Sequence, residues 1–154
     1  MKSLLACALL LLPLPAMAQD ADDHGAVVAT VDAFMAAFAA KDEEAMTALV
    51  TPEAALVAVR ANDSGNAVVS SSMANLAATI ASIPRAMVEP IAVRAVMVEG
   101  PLAMVWADFG LYADGALSHC GVNLFSLVQL DGEWRIAGTT YSHITDSCAG
   151  APTP

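Results

Sequence analysis

The chain has 154 residues, 57% of them hydrophobic and 14% charged, and a formal net charge of −10. That length suits a single domain with one buried core. The few scattered basic residues form no stripe able to track phosphates, which argues against nucleic acid and anionic membranes as partners.

The opening "MKSLLACALLLLPLPAMAQD" combines Lys2, an apolar run from Leu4 to Leu14 and the small-x-small motif Ala16-Met17-Ala18. This pattern predicts a signal peptide over residues 1–18, cleaved after Ala18. The run is shorter than the ~20 apolar residues of a spanning helix, and Cys7 lies ahead of the apolar core, where a lipid-anchor cysteine would follow it. Cleavage leaves 136 residues with a formal charge of −11, destined for the periplasm or the exterior. It also leaves Cys120 and Cys148 as the cysteines. An even pair in an oxidising compartment reads as a disulfide; two buried thiols are the alternative. A domain over 19–148 and a disordered tail over 149–154 are expected.

Val27, Val31, Phe34, Met35 and Phe38 recur at helical spacing and predict a first helix over 26–40. A short second helix follows from Asp42, with Glu43 and Glu44 in its first turn, Met46 and Leu49 inward and Pro52 at its exit. Residues 54–60 read as a strand and "ANDSGNA" as a loop, after which Ser70 to Ser72 can cap a third helix over 73–83. From there the pattern is β, in segments near 88–98, 102–112, 116–130 and 133–145. Asp114-Gly115 and Asp131-Gly132 suit tight hairpin turns. Helices followed by an antiparallel meander predict the α+β class.

Counting outward from those turns sets Gly110 against His119, Asp108 against Gly121, Trp106 against Asn123, and Asn123 against Thr140. One face then carries Trp106, Asp108, Tyr112, His119, Asn123, Phe125, Trp134 and Thr140, the composition of a ligand-pocket wall. The other face, with Val105, Phe109, Leu111, Cys120, Val122 and Tyr141, is almost wholly apolar. A sheet apolar on both faces needs two covers, which predicts helices on one and a second subunit on the other. Asp108 lies diagonal to His119 in this register. The pair can act as a proton-transferring acid and base, or His119 is a histidine satisfied within the core. A single bulge would separate the two. His143 opposes Cys120 on the far face and His24 precedes the first helix. No metal-ligand spacing stands on any element, so neither metal nor cofactor is expected. Asn123 and Thr140 either orient a ligand or bond each other, and Ser118 lacks a nucleophile-elbow context.

The first helix, the short acidic second helix and the run "VWADFGLYADGALSHCGVNLFSLVQLDGEWRIAGTTY" followed by Cys148 are similar to exported members of the nuclear transport factor 2-like superfamily. The resemblance is to its SnoaL-like and putative lumazine-binding groups. It implies a cone-shaped fold, a curved antiparallel sheet around three helices, with a pocket at its wide end and dimerisation through the outer sheet face. Relatives of this kind include isomerases, epoxide hydrolases, polyketide cyclases and non-catalytic domains, so the fold does not choose among them. Three functions are therefore carried forward. One is an exported binding domain for a flat or hydrophobic, heterocyclic ligand. Another is an isomerase, hydrolase or cyclase using Asp108 and His119. The last is a non-catalytic protein-interaction domain.

Overall fold

The structure, a computed structural model, describes residues 16–62 and 65–154. Most of the expected leader, residues 1–15, lies outside the described residues. Helix α1 spans Ala16–Ala40, beginning upstream of the amphipathic run and passing through the expected cleavage point. Helix α2 (Glu43–Ala48) is capped by the Asp42 carboxylate, which accepts from the Ala45 N–H at 3.0 Å. Helix α3 (Met73–Ser82) is capped in the same way by Ser72, whose hydroxyl accepts from Asn75 N–H at 3.0 Å.

The strands are β1 (Val50–Asn62), β2 (Gly65–Ser72), β3 (Met87–Val88), β4 (Ile91–Glu99), β5 (Leu102–Ala113), β6 (Ala116–Leu130) and β7 (Glu133–His143). They form one seven-stranded sheet in the order β2-β1-β7-β6-β5-β3, with β4 also on β5. The pair β1 and β7 is parallel and the others are antiparallel. The α+β expectation holds, and three details differ. Strand β2 replaces part of the expected loop; it is an edge strand with exposed residues along nearly its whole length, so no apolar alternation marks it. Pro52 lies within β1 and not at a helix exit. The β1–β7 ladder is irregular between Val50 and Ala55, where a missing N–H removes no regular rung. Residues 149–154, expected to be disordered, include half-buried Ala151 and Pro152, and a Cβ on Gly110 would come 2.7 Å from the Pro152 carbonyl oxygen.

The two Asp-Gly turns form as read. Asp114 and Gly115 have φ of 50° and 80°, and Asp131 and Gly132 have 53° and 83°, the positive pair that twists in step with the flanking strands. Beyond each turn a bulge then changes the register. Tyr112 pairs with Leu117, but Leu111 pairs with His119, leaving Ser118 as the extra residue. Leu127 pairs with Ile136, but Ser126 pairs with Gly138, leaving Ala137 extra. Each bulge shifts the alternation by one residue and exchanges the faces beyond it. The core between helices and sheet therefore holds Val105, Ala107, Phe109 and Leu111 of β5, with Phe125 and Leu127 of β6 and Ile136 of β7. Val27, Val31, Met46 and Met73 close it from the helices.

Candidate functional site

A cavity of about 100 Å³ lies between α1, α3 and the inner face of the sheet. Phe34, Met35 and Phe38 on successive turns of α1 form one side, and Met73, Leu76 and Ile80 of α3 form another. The sheet contributes Leu56 from β1, Leu111 from β5, His119, Asn123 and Phe125 from β6, and Thr139 and Tyr141 from β7. Glu89, in the short link between β3 and β4, completes the lining. An apolar cavity of roughly 150 Å³ accepts a benzene-sized guest, so this one is on the scale of a single ring.

Its polar groups are few and converge. The Asn123 side-chain amide donates to Glu89 Oε1 at 2.8 Å. Burial pushes the Glu89 carboxyl up from 4.5 to about 7, against the stabilising pull of the Asn123 hydrogen bond. Glu89 thus passes between acid and carboxylate near neutral pH. The Thr139 hydroxyl is buried without a hydrogen-bond partner. His119 is half-buried and its ring is held down at about 4, first by burial and then by the neighbouring His143 and Arg60 charges.

The aromatic groups near His119 form a cluster. Phe109 meets it edge-on at 5.7 Å between ring centroids, and His143 stacks on it at 4.0 Å with an interplanar angle of 28°. Gly121, between His119 and Asn123 in β6, permits the close approach of β7 here: a Cβ on it would overlap the Ser142 carbonyl oxygen. Along the parallel β1–β7 pair the rungs run from Leu56–Thr139 at the cavity wall, through Ala58–Tyr141, to Arg60–His143.

Of the residues expected in the site, His119, Asn123 and Phe125 line the cavity, and Phe125 is only 2% exposed. The others are placed elsewhere. Asp108 pairs with Val122, not Gly121, and lies on the outer face, where Arg94 Nε donates to its Oδ2 at 2.5 Å. The bulge at Ser118 therefore separates Asp108 from His119, and no acid–base dyad of these two exists. Trp106 shares that outer face and is 41% exposed. Tyr112 is half-buried beside Gly110 and does not line the cavity. Trp134 is 6% exposed and belongs to the packed core. Thr140 points outward and is exposed, its expected place taken by Thr139 through the bulge at Ala137. His143, expected on the far face, instead stacks on His119.

Sequence reasoning passed over Glu89 and Thr139 and set Tyr141 on the opposite face, whereas it lines the cavity. A lone carboxylate in the apolar segment "MVEPIAV" was the available signal for Glu89. Cys120 and Cys148 form the expected disulfide, with Cα atoms 5.7 Å apart, which ties the segment after β7 back to β6. Among the described residues no group of three or more His, Cys, Asp or Glu side chains is arranged to hold a metal. No described helix is long and apolar enough to cross a membrane.

A family model described as putative lumazine-binding matches residues 22–142. Among solved structures, a nuclear transport factor 2-like protein with a cystatin-like fold from Novosphingobium aromaticivorans is similar at TM-score 0.68 and 17% identity, over 87% of this chain and 90% of that one. A nuclear transport factor 2-like protein of unknown function from Shewanella baltica is similar at TM-score 0.64 and 14% identity, over 80% and 94%. The beta subunit of a "putative aromatic-ring-hydroxylating dioxygenase" from Novosphingobium aromaticivorans is similar at TM-score 0.64 and 13% identity, over 85% and 94%. No curated protein matches the sequence. At such identities the likeness establishes the fold alone.

Proposed function

The chain belongs to the family described as putative lumazine-binding, and we propose that it binds a small, largely apolar molecule of single-ring size in the cavity between α1, α3 and the sheet. The observation that carries this reading is the placement of convergent polar groups, the Glu89–Asn123 pair and the unpartnered Thr139 hydroxyl, in a wall otherwise built from apolar side chains. Such a wall encloses a ligand's body and fixes its orientation through a few hydrogen bonds. The small free volume favours one ring over the fused bicycle that the family description suggests.

Phenylacetamide, a ring bearing a neutral hydrogen-bonding group, is a suitable probe. It should perturb the Asn123 side-chain and Thr139 backbone signals in a ¹H–¹⁵N titration. Leu56→Trp, which fills the cavity from β1, should abolish the effect while near-ultraviolet circular dichroism shows a packed fold. Thr139→Val, which keeps shape and removes only the hydroxyl, should weaken binding several-fold. Binding undiminished in both variants would refute the assignment.

Glu89 favours a second reading, in which the same cavity transfers a proton to or from its ligand. A carboxyl poised near pH 7 suits general acid–base work, and it takes the role earlier assigned to Asp108. Export to the periplasm or exterior belongs to the same proposal, supported by the leader pattern of residues 1–18 and by a disulfide suited to an oxidising compartment. A homodimer through the outer sheet face is also proposed, supported by the exposure of Met97, Trp106 and Leu117 there.

A further inference from the structure

Arg60, His119 and His143 come from three different strands to one end of the sheet, next to the cavity. Arg60 is the register partner of His143 across the parallel β1–β7 pair, and His143 stacks on His119, which itself lines the cavity. We infer that this trio is the subsite for the anionic head of the ligand, so that the molecule bound is an apolar carboxylate with its ring in the cavity and its carboxylate at Arg60 and the two imidazoles. The inference rests on the binding function proposed above and names the chemical class of its ligand.

The geometry sets the scale. Ala54, Leu56 and Ala58 alternate on the inner face of β1, and Arg60 is the next residue on that face, beyond the core and exposed. Alternate rungs of a strand are about 6.6 Å apart. A ring seated beside Tyr141 would therefore carry a carboxylate, one short linker away, to the level of Arg60 and His143. Tyr141 lines the cavity and offers that ring apolar contact, backed edge-on by Phe109 at 6.0 Å between centroids.

The Arg60 charge stands beside two imidazoles whose protonation it opposes, and an anion would pair with that charge. The Arg60 guanidinium depresses protonation of both imidazoles, after burial as the larger cause. His143 Nδ1 is buried and makes no hydrogen bond. A carboxylate would pair with the guanidinium, in the fork geometry that arginine favours, and could accept from an imidazole N–H. A cation fits far less well. The two stacked rings lie within 28° of parallel, so their nitrogen lone pairs run side by side without converging on a common point, and a guanidinium stands next to them.

The charged and titratable neighbours facing this end are Arg60 on β1, His119 on β6, His143 and Tyr141 on β7, and Glu89 ahead of β4. Among the described residues facing this end, Glu89 is the one able to carry negative charge against the ligand at neutral pH, so the test is made at pH 6, where its carboxyl is mostly protonated.

Phenylacetate and phenylacetamide share shape and differ in charge. Titrated by calorimetry or by ¹H–¹⁵N shifts, the wild-type chain should bind the acid about ten-fold tighter than the amide. Arg60→Gln, at an exposed position, should bring that ratio close to one chiefly by weakening binding of the acid, and Arg60→Lys should keep most of the preference. A wild-type ratio near one, or a ratio that survives Arg60→Gln, overturns the anionic subsite and leaves the cavity assignment standing. Failure of the chain to bind either probe overturns both.

Discussion

Replacing Glu89 by Gln isolates the cost of holding an ionisable carboxyl against the cavity. The native carboxyl titrates at about 7 in place of 4.5. A folded-state value above the unfolded one means that the contribution to stability is complete below pH 4.5 and is lost as pH rises through 7. The full shift corresponds to about 3 kcal/mol, and to about 2 kcal/mol once the partial exposure of the residue is allowed for. Gln cannot ionise, yet its Oε1 can still accept from the Asn123 amide, so the local geometry is retained. His119 pulls the opposite way, because a ring lowered from 6.5 to about 4 removes stability as pH falls through that window. It is present in both proteins and cancels from their difference. Urea unfolding at pH 4.5, 6, 7 and 8.5 should therefore give equal stabilities at the acid end. By pH 8.5 Glu89→Gln should be more stable by about 2 kcal/mol, or roughly 4–8 °C in melting temperature. A stability difference that does not change with pH would refute the burial argument and, with it, the assignment of Glu89 as the acid–base group of the cavity.

Two further predictions concern the opposite side of the sheet. Asp108→Asn breaks a surface ion pair whose arginine side chain is 64% exposed; it should cost less than about 1 kcal/mol in urea unfolding and leave phenylacetamide affinity unchanged, whereas a loss of binding would return Asp108 to the site. Cys148→Ser opens a bridge between residues 28 apart in sequence and should destabilise the chain by about 3 kcal/mol, measured with and without reductant; equal stability would show that β6 and β7 hold the C-terminal segment without it.

Most of the architecture was legible because local chemistry and global fold agree in it. Asp42 and Ser72 cap the helices that follow them, and both Asp-Gly pairs make the turns their φ preferences require. The site was read less well, and the reason is a single-residue effect repeated twice. The register next to each turn was right, but Ser118 and Ala137 are bulged, and each shifts every residue beyond it to the other face. Both are small residues that sit equally well in a regular strand, so neither announces a bulge. A signal was nonetheless present in β5. Val105, Ala107, Phe109 and Leu111 are uniformly apolar, whereas Met104, Trp106 and Asp108 are mixed, and the uniform set is the buried one. Weight given to aromatic residues favoured the wrong alternation.

Energetics then separate the cavity from an ordinary packing defect. An unpaired buried hydroxyl costs about 1–3 kcal/mol, and a carboxyl raised to about 7 costs a comparable amount at alkaline pH. Valine in place of Thr139, or a hydrophobic residue in place of Glu89, would relieve each penalty without disturbing the strand pattern. Aromatic and methionine side chains from α1 and α3 already surround the space and could close it with a change of one residue. Polar groups that serve only stability would be expected to find partners within the chain, as Ser126 does on the neighbouring strand β6 by donating to the Gly138 carbonyl at 3.1 Å. Thr139 has none, and Glu89 retains acceptor capacity beyond its one bond to Asn123. Hydrogen-bonding capacity left open inside an apolar wall is a cost to the fold, and a ligand that supplies the missing partners turns that cost into selectivity.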